Sequence, residues 1–367
     1  MEMAEKEGVR LTEIEGFPDD VARQLHDLWI TTAEELVAAS RRENASEGLQ
    51  DYLNLSEDEV DDLVERAQDA LPAQVQFAPE EIKRYGLGAL DEPEDEFPRP
   101  GAFAFAAQPA SVDLRDRMPP VRNQHDRGTC VAFACAAVRE YLLGEEASAQ
   151  SDLSEQFLYW DCKQRDGYDG SGTWIRVGMD VLKDHGICVE EVWPYQPDPI
   201  PGNEGQGPPP EGALEAAADY RVETSSKLRA RWIDDLRQHL VEGLPVAFAV
   251  PVYTYWFTDP IRRTGDIRLP LSTDNQEGGH AMCMIGYEDD EDVPGGGYFY
   301  VRNSWGEDWG RDNALGAGHA RIPYAYMTKH GSSAYVARAE AQPGDDDGEG
   351  EEEQGKGCLL GWLPIFW

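Results

Sequence analysis

The sequence predicts an α+β fold preceded by a small all-helical module. Three observations carry this. Apolar residues between positions 9 and 71 recur at helical spacing. A Pro-rich, acidic stretch then separates this part from the rest. Beyond it, helix-like segments come first and strand-like segments last, an order that favours α+β over alternating α/β.

Leu11, Ile14, Phe17, Val21, Leu25 and Leu28 keep one helical face, and Pro18 suits a first helical turn. Thr32 with Glu35, and Ser56 with Glu59, fit the capping-box pattern ahead of apolar runs. Residues 1–71 are therefore expected as one helical domain, similar to helix-hairpin-helix domains through "IEGFPDDVARQLHDLWITTAEELV". Helix-hairpin-helix units often grip DNA phosphates; this one is rich in Asp and Glu, so a protein partner is expected instead.

Residues 72–110 read as a linker. Its part "FPRPGAFAFAAQPA" is extended and apolar enough to lie in a cleft as an autoinhibitory plug. The large domain spans 111–338. It opens with helices over "CVAFACAAVREYLL", "SEQFLYWDCKQR" and "GTWIRVGMDVLKDHG", and it closes with strands over "PVAFAVPVY", "HAMCMIGYED" and "GYFYVRNSW". The insertion "QPDPIPGNEGQGPPPEG" between them is expected as a mobile surface loop. Residues 339–357 lack apolar side chains and repel themselves, so disorder is expected. The last ten, "CLLGWLPIFW" at 358–367, are too few to span a bilayer and read as an apolar docking tail.

The formal charge is −39, with 71 acidic residues against 32 basic ones, of which 25 are Arg and 7 Lys. So anionic a surface repels phosphate backbones and anionic lipid, which excludes nucleic acid and membranes as default partners. Excess short carboxylates with few Lys predict a halophilic protein of a high-salt interior. The amino terminus has no basic start followed by an apolar run, so no secretory signal is expected. The six cysteines contain no CxxC pair, which predicts free thiols in a reducing, cytoplasmic setting rather than a disulfide framework or a zinc site.

Chemistry centres on "RNQHDRGTCVAFACAAV". A thiol attacks carbonyls only as thiolate. The Gly128-Thr129 turn places Cys130 in the first turn of a helix, where the macrodipole favours an anion. Phe133, Ala137 and Tyr141 share one face and should pack inward, and Cys135 should be inert core. A base is also needed. His26, His185 and His239 lie in polar helical stretches, whereas His280 follows "QEGG" at a strand edge where it can face a cleft. Asn303, at the end of a strand, can orient it, and Trp305 can cover the pair. On these residues alone, Cys130 as a packed core thiol and His280 as a structural histidine stay open.

Together, Gln124 six residues before Cys130, the C-x-A-F helix start, "SEQFLYWDC", "DGSG", "GHAMCMIGYED" and "RNSWGEDWG" resemble the papain family of cysteine peptidases. His280 and Asn303 follow Cys130 by 150 and 173 residues, a layout of that family. The resemblance implies a papain-like two-lobed fold, with a helical lobe carrying the Cys and an antiparallel, barrel-like β lobe carrying His and Asn. It implies Cys130 as nucleophile, His280 as base and then acid in an ion pair with it, Asn303 as orienter, and Gln124 as an oxyanion donor beside the Cys130 N–H. Trp305 would shield the His–Asn bond. Gly170 and Ser171 would flank the substrate backbone, and Ala249 with Gly279 would leave a pocket for a bulky apolar side chain. No cofactor or metal is implied, and the partner is a protein or peptide substrate.

Three positions depart from the family. Arg127 stands where members commonly have a disulfide-bonded Cys, Val131 where they have Trp, and Cys162 has no evident partner. The family's long-helix inhibitory propeptide pattern is absent before residue 110. Two alternatives follow: a dormant papain-like binding protein, opposed by the presence of all four catalytic side chains, and an acyl transferase using the same triad.

Overall fold

The computed structural model describes residues 6, 8–41, 44–72, 84–92, 108–144 and 152–339. The acidic stretch and apolar tail expected beyond residue 339, Cys358 included, lie outside the described residues, as does 97–107 of the expected plug.

Four helices, α1 (Asp19–His26), α2 (Ala33–Ser40), α3 (Ala45–Leu53) and α4 (Glu57–Ala70), make the amino-terminal module. Both capping boxes form: Thr32 Oγ1 accepts from the Glu35 N–H at 3.3 Å while Glu35 Oε2 accepts from the Thr32 N–H at 3.2 Å, and Ser56 and Glu59 repeat the pattern at α4. Pro18 is the cap residue of α1. Leu11, Leu25, Leu36, Val37 and Leu63 form the module's core, and Leu269 and Leu271 of the large domain complete it. Trp29 stacks on Tyr298 with centroids 6.2 Å apart. The buried Arg321 guanidinium holds Asp266 through two 2.6 Å bonds and lies against both rings. The module is thereby docked on the large domain.

The large domain runs β1 (Ser111–Asp113), α5 (Cys130–Leu142), α6 (Glu155–Arg165), α7 (Ile175–Asp184), α8 (Ala213–Ala217), β2 (Thr224–Lys227), α9 (Ile233–Val241), β3 (Val246–Tyr253), α10 (Asp259–Thr264), β4 (Gln276–Asp289), β5 (Gly297–Arg302), β6 (His319–Pro323), α11 (Tyr324–His330) and β7 (Ser333–Arg338). The strands pair antiparallel in the order β2-β7-β3-β4-β5-β6, and β1 adds to β4. Because strand side chains alternate, Ala247 and Ala249 of β3 face one core while Phe248 and Val250 face another. The first core is helical, built from α5, α6 and α7 over the small residues of β3 and β4. The second holds Trp256, Trp305, Trp309 and Tyr326.

Helix α5 is buried all round from Cys130 to Tyr141, not on a single face. Its alanines let the sheet and two helices approach at once. The insertion expected to be mobile is instead pinned, because its carbonyls serve as buried acceptors. Arg127 donates to the Gln196 carbonyl at 2.5 Å and to the Glu204 carbonyl at 3.3 Å, and Gln156 donates to the Gly205 carbonyl at 2.9 Å. Among the described residues no helix is long and apolar enough to cross a membrane.

Candidate active site

Cys130 opens α5 behind Thr129 and is fully buried. Thr129 Oγ1 meets the Tyr195 hydroxyl at 2.8 Å, and that hydroxyl donates to the Gln124 carbonyl at 2.9 Å. The turn ahead of the cysteine is thus fixed by a side chain 65 residues downstream. His280 and Asn303 come from β4 and the end of β5, which pair in register. The imidazole Nε2 donates to Asn303 Oδ1 at 2.8 Å, and the Ser304 N–H donates to the same oxygen at 2.7 Å. Both donors require the amide oxygen to point at the ring, so they fix tautomer and orientation together. His280 Nδ1 is left buried without a partner, the position a base needs. Trp305 stacks on the imidazole at 4.3 Å and 17°.

Gln124 is equally fixed. Its backbone N–H donates to the Ser304 carbonyl at 2.8 Å, and its Oε1 accepts from the Ser304 hydroxyl at 2.6 Å. The amide NH2 is therefore turned away from Ser304. It donates to the Arg127 carbonyl at 2.8 Å and to the Gly86 carbonyl at 3.1 Å.

Gly86 belongs to a segment, residues 84–92, that lies in the cleft. This part of the expected linker is built in as a strand-like strap. Gly88 and Ala89 both donate to the Gly279 carbonyl at 3.1 Å. The Thr173 N–H donates to the Gly88 carbonyl at 2.9 Å, and Leu90 N–H to the Thr173 carbonyl at 3.0 Å, making a parallel bridge. Tyr85 packs 5.7 Å from Phe257 and 5.0 Å from Trp305. The two glycines are required by close approach: an added Cβ would sit 2.0 Å from the Arg127 carbonyl oxygen at Gly86 and 2.0 Å from that of Gly128 at Gly88.

The electrostatics follow from this lid. Burial pushes the Cys130 thiol up to about 11, opposed by the nearby backbone N–H groups of Ala281, Gly88, Val131 and Ala89. Burial pushes His280 down to about 4, against the opposing bond to Asn303. Both shifts favour a neutral thiol and a neutral imidazole while the segment is seated, not the ion pair that the resemblance implies.

The remaining expected residues fall around this centre. Ala249 is buried in the same apolar cluster as Cys130 and Ala281. Gly279 serves through its carbonyl. Gly170 accepts from Lys163 at 3.0 Å, and Ser171 abuts Gly128. The residue that bridges the cleft segment is Thr173, two beyond Ser171, and sequence reasoning did not single it out. It also passed over Tyr195 and Ser304, which have no signature apart from their contacts. Arg127, noted only as a departure, is buried between Tyr159 and Tyr195 and donates to Gln156 Oε1 at 2.9 Å, so its guanidinium joins the Gln124 loop to α6 and the 196–206 loop. The five described cysteines are all buried and unpaired.

Residues 108–322 match the papain family cysteine protease family. The chain is 30% identical over 237 residues to cathepsin J of Mus musculus, covering 60% of this chain and 66% of that protein. It is 26% identical over 229 residues to an uncharacterized peptidase C1-like protein of Acanthamoeba polyphaga mimivirus, covering 59% of this chain and 69% of that protein. The match thus spans about two thirds of the length of each relative. Among solved structures, xylellain, a cysteine protease from Xylella fastidiosa, is similar with a TM-score of 0.59 and 28% identity over 71% of this chain and 98% of that one.

Proposed function

The chain belongs to the papain family of cysteine proteases, and from that premise we propose that it cleaves peptide bonds of a protein or peptide substrate through an acyl-enzyme on Cys130. The observation that carries this is the 2.8 Å His280–Asn303 bond under Trp305, which leaves Nδ1 as the available base atom. In the reaction the Cys130 proton passes to His280 and the sulfur bonds to the scissile carbonyl carbon. The developing oxyanion is received by Gln124 Nε2 and the Cys130 N–H. Collapse breaks the C–N bond, and the imidazolium returns its proton to the leaving amine. Water then cleaves the thioester to a carboxylate and restores the thiol. No cofactor enters any step.

Residues 84–92 hold this form latent. The segment spends the N–H groups of Gly88 and Ala89 on the Gly279 carbonyl and is clamped to Thr173 on its other side, so it occupies the cleft as an inhibitor. Gly86 meanwhile presents its carbonyl to Gln124 and, at 3.3 Å, to the Trp305 indole N–H.

Intact-mass analysis after exposure to an epoxysuccinyl electrophile tests the reading, comparing the full chain with Cys130→Ala and His280→Ala. One adduct at Cys130 that disappears in the first variant and slows at least a hundredfold in the second is expected. Labelling of Cys130 at the same rate without His280 would sink the proposal and favour a dormant binding protein. Product analysis with added amines separates hydrolysis from acyl transfer.

A further inference from the structure

At Glu92 the cleft segment makes a contact that its inhibitory role does not require. The Glu92 side chain is 4% exposed, and its carboxylate is enclosed by three donors from three elements. Lys227 Nζ of β2 is 3.1 Å from Oε2, the Tyr335 hydroxyl of β7 donates to Oε2 at 2.7 Å, and the Arg176 N–H in the first turn of α7 donates to Oε1 at 3.2 Å. Lys227 and Tyr335 are register partners, so their side chains rise from the same face of the sheet. Along that face the next partner of Tyr335 is Ala247, and Ala249 and Ala281, beside Cys130, lie one pleat away. A ten-residue helix start, a lysine and a phenol therefore form a carboxylate receptor at the end of the row that begins at the nucleophile.

Resting on the peptidase reading, we infer that this receptor is a substrate subsite that selects Glu or Asp. Once residues 84–92 leave, Lys227, Tyr335 and the Arg176 N–H take an acidic side chain of the peptide bound along Thr173. A Gln at that position has the shape but not the charge, and it leaves the lysine facing an uncharged group; a site built to bind one polar partner rejects the analogue that lacks it. This narrows the expectation of a bulky apolar pocket. Ala249 and Gly279 supply room and a main-chain acceptor near Cys130, and discrimination lies farther out, at Lys227.

The test uses the full chain carrying Glu92→Gln, which removes the competing internal carboxylate. Pairs of peptidyl electrophiles, identical except for Glu or Gln at the second, third or fourth residue before the reactive group, are compared by their rates of Cys130 labelling. At one of these positions the Glu probe should label at least tenfold faster. Adding Lys227→Met should bring the ratio to within twofold of one, and Lys227→Arg should restore part of it. Since the readout is a ratio within one protein, a folding defect lowers both rates and leaves it intact. Cys130 labelling with ratios near one at all three positions would overturn the subsite, as would a preference that survives Lys227→Met. Failure of every probe to label Cys130 would overturn the peptidase reading itself, and the subsite with it.

Discussion

Replacing Gly88 by Ala should unlatch the enzyme. The backbone there is not in the left-handed region, so alanine is conformationally acceptable and only the contact matters. The new methyl carbon would lie 2.0 Å from the Gly128 oxygen and 2.4 Å from its carbon. Those atoms immediately precede α5 and cannot yield without moving Cys130. The segment must instead withdraw by more than an ångström, which breaks at least the Gly88 N–H bond to Gly279 and the Thr173 N–H bond to Gly88. Two such bonds contribute about 1–3 kcal/mol together, and overpacking costs about 1–3 kcal/mol. A net destabilisation of the closed form by about 2–6 kcal/mol raises the open population by roughly 30-fold to 20,000-fold at about 1.4 kcal/mol per decade. The assay is the second-order rate of Cys130 carbamidomethylation at neutral pH, followed by intact mass and peptide mapping. Cys135, Cys162 and Cys283 are buried and serve as internal reporters, since general unfolding would label them too. A rate within twofold of the parent, with those thiols silent, would refute the lid.

Gln124→Ala, measured in the Gly88→Ala background, should lower kcat by about 10²–10³ with KM little changed, because one oxyanion donor is lost; an equal rise in KM with kcat intact would assign Gln124 to substrate binding. The closed form should be most stable between about pH 6.5 and 9. Below 6.5 the solvated imidazole gains a proton that the closed state refuses down to about 4, so acidification through that window favours opening by up to about 3 kcal/mol. Above 9 the solvated thiol ionises while the closed one does not until about 11, with the same result. Hydrogen exchange at residues 86–90 should trace both edges, and His280→Gln should flatten the acidic one. Arg127→Met should cost about 1–3 kcal/mol for each buried acceptor left unpaired, read by thermal unfolding; a shift below a degree would show that the guanidinium holds nothing.

What could be read from the chain was chemistry written in side chains that are close in sequence or at known spacing. Cys130, His280, Asn303 and Gln124 stand in contiguous strings, and the capping residues Thr32, Glu35, Ser56 and Glu59 act over one helical turn. What could not be read was contact made through backbone. The cleft segment binds by the amides of Gly86, Gly88, Ala89 and Leu90, which no composition reveals, whereas the more apolar "FPRPGAFAFAAQPA" carries the pattern expected of a plug. One signal was available: Gly86 and Gly88 alternate with Tyr85 and Leu87 inside an acidic stretch, the pattern of a strand pressed against another backbone. The 196–212 loop differs from its sequence expectation for the same reason. Its Pro and Gly content suggested mobility, but its carbonyls answer Arg127 and Gln156, and those partners are distant in sequence.

The two roles assigned to the Glu92 receptor make latency and specificity a single equilibrium. The chain's own carboxylate and a substrate's compete for Lys227, Tyr335 and the start of α7, so a peptide that fits the subsite well also displaces the segment that blocks the nucleophile. Binding restricted to the open form pulls the population toward it by mass action. Every peptide, acidic or not, must displace the same Glu92–Lys227 contact, so the lid lowers apparent affinity by one common factor and leaves the ratio between Glu and Gln probes to the subsite. Both probes should therefore label the full chain more slowly than Glu92→Gln, with the ratio between them the same in both proteins. A Gln probe that labels the two proteins at one rate would show that it binds without displacing Glu92, and that the lid and the subsite do not share their donors.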